Sequence, residues 1–404
     1  MGSGVIVVGA GPVGLALAGE LRAGGAEVTV LERLAAPTTE SRATTLDART
    51  MELLDERGLL APLGTVPREP RGHFGGLPLD LDGQPSPFAG QWIVPQARVE
   101  ALLSDWAREL GADIRREHEV RALRPAADGV AVDVVMRAGR GSGRRVRLSA
   151  EYVVGCDGEE STVAALAGFE FPGRDARREL LRAEVRGVDI PDRRFQRLPG
   201  GFAVAVTRAG MTKVMVHEYG RPPAARTAAP GFDEVAAAWS RVTGEDISGG
   251  TPVSVNAFRD VSRQAAHYRR GRVLLAGDAA HRHLPVGGQA LNLGLQDAFN
   301  LGWKLAAEVA GTAPAGLLDS YHEERHRAGR RAMALIDAQT FIMLGGPEVE
   351  PVRSVFGELL GHQAVRELLA SRLGGLDADI RGLPEPAEEA EPAGTPNRRE
   401  EVSS

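Results

Sequence analysis

The sequence predicts an α/β fold: a Rossmann-like dinucleotide-binding domain, interrupted by an inserted β-sheet domain and closed by C-terminal helices. Three observations predict it. Short apolar runs end in Gly or Asp-Gly turns at Val5–Val8, Tyr152–Gly155 and Arg272–Ala276. Between the second and third, residues 175 to 262 alternate apolar and polar in the period-two manner of sheet strands. The chain, at 404 residues, exceeds one typical core, so two domains are the expectation.

The first run is rich in β-branched residues and too short for a helix, so it reads as a buried parallel strand. Gly9, Gly11 and Gly14 follow as G-x-G-x-x-G. The first glycine permits a tight turn, the second lets a pyrophosphate approach the backbone, and the third lets the helix pack on the strand. A helix from about Val13 to Ala23 offers free N–H groups and a positive dipole end to phosphate. A second strand, Glu27 to Leu31, ends in Glu32, where an acid bonds ribose hydroxyls and disfavours a 2′-phosphate.

The second run closes in Cys156-Asp157-Gly158, a turn common in any α/β fold. The third closes in Gly277-Asp278 and leads through Pro285-Val286-Gly287-Gly288-Gln289 into a helix. The strand-end carboxylate suits a sugar-alcohol hydroxyl. The paired glycines let backbone N–H groups meet a flat ring, and the helix N-terminus favours negative charge on it. A nicotinamide dehydrogenase needs only the first segment. All three together point to a flavin dinucleotide.

In these segments the chain resembles the class A flavoprotein monooxygenases, the para-hydroxybenzoate hydroxylase family, and within it the aromatic polyketide hydroxylases. Further stretches carry the resemblance: Ser41-Arg42-Ala43, Arg49 to Leu54, His73 to Leu79, Pro95 to Glu100, Gly155 to Thr162, Gly271 to Lys304 and Tyr321 to Arg325. His73 to Leu79 points to the polyketide branch. The resemblance implies a Rossmann-like FAD-binding domain of the glutathione-reductase type, with an inserted β-sheet substrate domain and C-terminal helices. It implies bound FAD, transient NAD(P)H, O₂, and hydroxylation of a polycyclic phenol through a flavin C4a-hydroperoxide. The setting it implies is antibiotic biosynthesis. Gly9, Gly11 and Gly14 would face the pyrophosphate, Glu32 the adenosine ribose and Arg33 the adenine. Arg42, Gln96 and Arg98 would line the flavin and its phosphates, and Asp278 would bond the ribityl chain. Asp157 would serve both FAD and NAD(P)H. Pro285, Gly287, Gly288, Leu291 and Asn292 would surround the isoalloxazine ring, with the Pro285 backbone near the reacting atoms. Phe74, Gly75 and Phe202 are the candidate substrate residues.

Three departures from the family stand out. Ala164 and Ala165 replace an Arg after the second motif, and Ala290 stands where Gly is usual, which requires helical backbone there. The thioredoxin-like C-terminal domain usual in the polyketide branch is not expected in the residues given, where an acidic, disordered tail is expected instead. The expected FAD domain comprises residues 1–70, 96–174 and 263–345. The substrate domain comprises 71–95 and 175–262, a helical extension 346–382, and the tail 383–404.

Composition narrows the alternatives. A net charge of −6 gives no reason to expect nucleic acid or an anionic membrane. Only Lys213 and Lys304 are lysines, so the abundant arginine reflects composition bias rather than a basic surface. The one cysteine, Cys156, excludes an internal disulfide and suits a reducing cytoplasm. His281-x-His283 lacks partners at metal-ligand spacing, and no G-x-S-x-G elbow exists for Ser161. Rival readings on the same scaffold are Baeyer–Villiger oxidation or epoxidation, a flavin dehydrogenase or reductase, and an FAD-binding scaffold without turnover. Oligomeric state is not legible.

Overall fold

A computed structural model describes residues 3–38, 43–137 and 143–377. Its central sheet runs in the order Arg269–Arg270, Val273–Leu275, Arg144–Gly155, Ser3–Val8, Val28–Leu31, Asp113–Arg115. All neighbours are parallel except the short edge strand Arg269–Arg270. The motif strands are almost wholly apolar because both faces are covered: Val5, Ile6 and Val7 are wholly buried, and all four residues of Val28–Leu31 are buried. Arg144–Gly155 does two jobs. Its first half pairs antiparallel with Gly129–Met136, and its last residues pair parallel with Ser3–Val8. Arg144 and Arg145, which begin the strand, are exposed.

The inserted sheet has five antiparallel strands in the order Arg193–Leu198, Gly201–Arg208, Met211–Glu218, Glu179–Arg186, Thr251–Arg259. Alternation sends successive side chains to opposite faces. Leu181, Ala183, Ala203, Ala205, Val214 and Val216 pack on helix Phe232–Thr243 around buried Trp239. Leu180, Phe202 and Val204 face the other way, onto Leu284, Val286, Met343 and Leu344.

Residues 71–95, placed by the sequence in the substrate domain, do not join that five-stranded sheet. Arg71–Phe74 and Leu77–Asp80 form a separate hairpin, turned by Gly75 and Gly76 at φ +56° and +84°. Its Leu79, with Leu81, packs on Ile342, Leu360 and Leu369 of the last helices. Gln91–Ile93 pairs instead with Thr45–Leu46 and Arg68–Glu69. The strands are short and Gly/Pro-rich, so local pairing and the nearest apolar helix face decide where they go. The chain closes with helices Leu317–Leu344, Glu350–Leu359 and Gln363–Leu373. The expected tail lies outside the described residues. No helix among them is long and apolar enough to cross a membrane.

Candidate active site

Parallel register carries four strand ends to one edge. Val8 pairs with Leu31 on one side and Gly155 on the other, and Gly155 pairs with Leu275. In an open α/β sheet, ligands bind in the crevice beyond this edge. Here the crevice is a cavity of about 670 Å³ whose walls include Gly9, Gly11, Glu32, Arg33, Gln96, Asp157, Asp278, Pro285, Gly288 and Leu291. Segments far apart in sequence thus meet in one place.

The three glycines do three different things. Gly9 sits at φ +105°, and a Cβ there would lie 2.4 Å from the Cys156 carbonyl oxygen. A Cβ on Gly14 would lie 2.0 Å from the Gly9 oxygen, so this glycine packs helix on strand and faces away from the cavity. A Cβ on Gly11 would meet nothing within 4 Å, which leaves that backbone open to a ligand. Helix Pro12–Ala23 begins here, and helix Gln289–Val309 begins beyond Gly288; neither has a side-chain cap. Both present free N–H groups to the crevice. Gly288 reaches φ +72°, and Ala290 lies inside the helix, as its Cβ requires.

The acids divide in the same way. Glu32 accepts from the N–H groups of Ala10 and Leu34, each at 2.8 Å, which holds its carboxylate at the cavity wall. Asp157 is turned inward: it accepts from Ser161 Oγ at 2.5 Å and from the Val163 N–H at 3.1 Å. Burial raises its pKa, and these bonds only partly offset that. Asp278 lines the cavity in a single 3₁₀ turn, and no described residue bonds its carboxylate. Gln96 donates to Glu100 at 2.8 Å, and burial pushes the Glu100 carboxyl up.

Other predicted residues stand behind the wall or away from it. Asn292 is buried; its amide donates to the Gly288 carbonyl at 2.7 Å and its oxygen accepts from the Asp47 N–H at 3.0 Å. It ties the glycine loop to helix Ala48–Asp55. Gly287 leaves its side-chain space to the Gln339 amide, 3.1 Å from an ideal Cβ. The Arg98 guanidinium does not line the crevice; it donates to the Leu63 carbonyl. Arg42 lies outside the described residues. Of the candidate substrate residues, Phe202 joins the apolar cluster of Leu284 and Val286, next to Pro285. Phe74 stacks on Phe356 at 5.0 Å, and Gly75 approaches Ile342; both belong to the helical end of the molecule.

Sequence reasoning missed Asp297, Arg325 and Phe258. Phe258, on the inserted sheet, closes the cavity near Pro285. Asp297, wholly buried, accepts from the Gly277 N–H, His281 and Arg325. Its only sequence signal is an acid within an otherwise buried helical pattern.

The family model described as "FAD binding domain" matches residues 3–335, and the chain belongs to that family. It is 42% identical over 388 residues to 12-dehydrotetracycline 5-monooxygenase/anhydrotetracycline 6-monooxygenase of Streptomyces rimosus, covering 92% of this chain and 76% of that protein. It is 41% identical over 383 residues to dialkyldecalin synthase of Streptomyces rugosporus, covering 93% and 81%. The crystal structure of CabE, an aromatic hydroxylase from angucycline biosynthesis, superposes with a TM-score of 0.88 at 49% identity, covering 94% of this chain and 77% of that one.

Proposed function

We propose that this chain is an FAD-dependent, NAD(P)H-consuming monooxygenase that hydroxylates an aromatic polyketide or related polycyclic phenol in antibiotic biosynthesis. One observation carries the reading. The strand-end cavity combines an open glycine backbone, two uncapped helix N-termini and the Asp278 carboxylate, which no described residue bonds, and it continues to Pro285 and Phe258. That donor and acceptor set fits a pyrophosphate, a polyol and a flat ring in succession. The similarity to a tetracycline monooxygenase and an angucycline hydroxylase supports the oxygen chemistry and the substrate class.

FAD, when bound, supplies electron uptake from NAD(P)H and oxygen activation. The protein supplies the rest. Backbone N–H groups after Gly11 hold the pyrophosphate, and Glu32 takes the adenosine ribose. Asp278 takes the ribityl hydroxyls. The first turn of helix Gln289–Val309 would offer positive potential to the bound flavin ring and would stabilise negative charge on it. The apolar face of Phe202, Val204, Leu284 and Val286 keeps the reacting side dry. No protein nucleophile is required. A cytoplasmic setting is supported by the single cysteine, which is buried.

A second reading is favoured by the likeness to a synthase: a chain that holds FAD without inserting oxygen. Anaerobic addition of NADPH to the purified flavoprotein, with and without a polycyclic phenol, tests the two. Faster bleaching with the phenol, followed by one oxygen atom in the product after air is admitted, is the expected result. A flavin that no nicotinamide reduces in either condition rejects the monooxygenase reading.

A further inference from the structure

Phe195 stands out from the rest of the inserted sheet. It sits at φ +51° inside strand Arg193–Leu198, whereas the other described non-glycine residues at positive φ, Glu117 and Ala209, lie between strands. A bulky residue reaches that region only at a conformational cost. The cause is a β-bulge. Arg193 pairs with Ala205 and Gln196 with Ala203, so Arg194 and Phe195 together oppose Val204. The strand is anchored on both sides of the bulge. Arg193 bonds Glu245, and Arg197 donates to the carbonyls of Met343, Gly345 and Gly346 at 2.8, 2.6 and 2.9 Å.

The bulge keeps the Phe195 ring on the inner face of the sheet, the face packed on Leu284 and Val286 beside Pro285. There it touches two other rings. His73, on the Arg71–Phe74 strand of the hairpin, is 3.9 Å away at 47°, and Phe202 is 6.4 Å away at 29°. These are the separations of aromatic rings in contact. The hairpin turn presses on the same residue: a Cβ on Gly76 would lie 3.2 Å from the Phe195 Cβ. The neighbours Leu180, Phe202, Val204, Leu284 and Met343 are buried and packed on one another, whereas Phe195 is only partly buried.

A polycyclic phenol on this face needs room, and close-packed side chains give room only by moving. Phe195 has the least to lose by moving. Its backbone is strained where it stands, it lies outside the ladder register, and it is not fully buried. We propose that Phe195 is a displaceable specificity residue: its ring holds the place of an aromatic ring of the substrate, against His73 and Phe202, and yields that place when the substrate enters. A flat fused ring system can take up both ring contacts, so the slot favours it over a bulky aliphatic one. The slot is closed for part of the time, which weakens the apparent affinity by the fraction of molecules in which it is open. The proposal rests on the reading of this face as the reacting side.

The test uses the flavoprotein with NADPH under anaerobic conditions, and phenol, 1-naphthol and 9-phenanthrol as probes of increasing ring number. The quantity read is the probe concentration that half-saturates the acceleration of flavin bleaching. Phe195→Ala empties the slot. Phe195→Gly empties it with a residue at home at positive φ, which covers the case of an alanine variant that folds poorly. With the open slot held by about a tenth of wild-type molecules, both variants should lower that concentration about tenfold for 1-naphthol and 9-phenanthrol. Phenol, with no further ring to seat, should change least. A ring that serves as a fixed wall gives the opposite sign, because its loss weakens every probe. That result, or no change in either variant, overturns the proposal alone. A wild-type flavin that none of the three probes hastens, with both variants alike, removes the reading beneath it and the proposal together.

Discussion

Two Asp residues stand just past two strand ends, each beside a glycine, yet the structure gives them different work. Asp157 spends its carboxylate on Ser161 and the Val163 N–H, starting the short helix Thr162–Leu166. Among the described residues Asp278 has no such partner, and it lines the cavity. Asp157→Ala is therefore expected to lower stability by about 1–2 kcal/mol, the worth of a helix cap, in a thermal melt of the apoprotein. Asp278→Ala should leave that melt nearly unchanged while weakening FAD by about 10- to 100-fold in a fluorescence titration. The glycines split likewise. Gly14→Ala would drive a methyl into the Gly9 oxygen, and a loss of about 1–3 kcal/mol is expected. Gly11→Ala meets no protein atom, so it should fold normally and fail to hold FAD. Equal melting losses in both variants would contradict this division.

At the scale of the element, helix Gln289–Val309 shows where pattern reading misleads. Asn292, Gln296, Asn300 and Lys304 recur every four residues, the spacing of a solvated stripe. All four are buried. They bond Asp47, Glu324 and Ser320 on helices that lie against them. Polarity on one helix face says that bonds are needed there, not that water supplies them. Asp47 caps helix Ala48–Asp55 through the Thr50 N–H at 2.7 Å. Burial raises its pKa from 3.8 to about 7, with the Thr50 bonds opposing. The sign follows from proton counts: between these values the unfolded chain has lost the proton and the folded chain keeps it. Stability from this group is then greatest below pH 4, falls as pH rises towards 7, and is level above. Asp47→Asn should flatten that slope, so urea unfolding at pH 4.5 and 7.5 should differ by about 2–4 kcal/mol less than in the wild type. An unaltered slope would mean the carboxyl is ionised in the folded protein.

For the whole molecule, the join between the two sheets rests on a few buried polar contacts rather than on area alone. Asp260 ends the last strand of the inserted sheet and is 2% exposed. It accepts from the N–H groups of Arg177 and Arg178, both at 2.6 Å, and from the guanidinium groups of Arg174 and Arg178. Arg174 then reaches Asp337 on the long helix Leu317–Leu344. Removing one member of a buried ion pair leaves the other uncompensated. Asp260→Ala is expected to cost about 3–5 kcal/mol. Hydrogen exchange should show the loss first in residues 179–259, and protection lost evenly across both sheets would argue against a local hinge.

Much of the candidate site was legible because glycine and strand-end acids are demanded by covalent geometry and ligand charge, which act locally. Gly9, Gly11, Glu32, Asp278 and Gly288 occupy the cavity wall for those local reasons. Arg98 and Phe74 could not be placed the same way: a long or apolar side chain goes to whichever partner the packed chain offers, here Leu63 and Phe356. The sequence by itself determined the parallel strands, their turns, the inserted sheet and the family, because periodicity and φ requirements are written residue by residue. Only the tertiary structure decided which of the two Asp carboxylates is taken up by bonds within the protein, that the Arg71–Asp80 hairpin packs on the C-terminal helices, and that His281, Asp297 and Arg325 meet. Those outcomes depend on competition for buried hydrogen-bond partners and apolar surface between segments distant in the chain, and no local pattern records who wins.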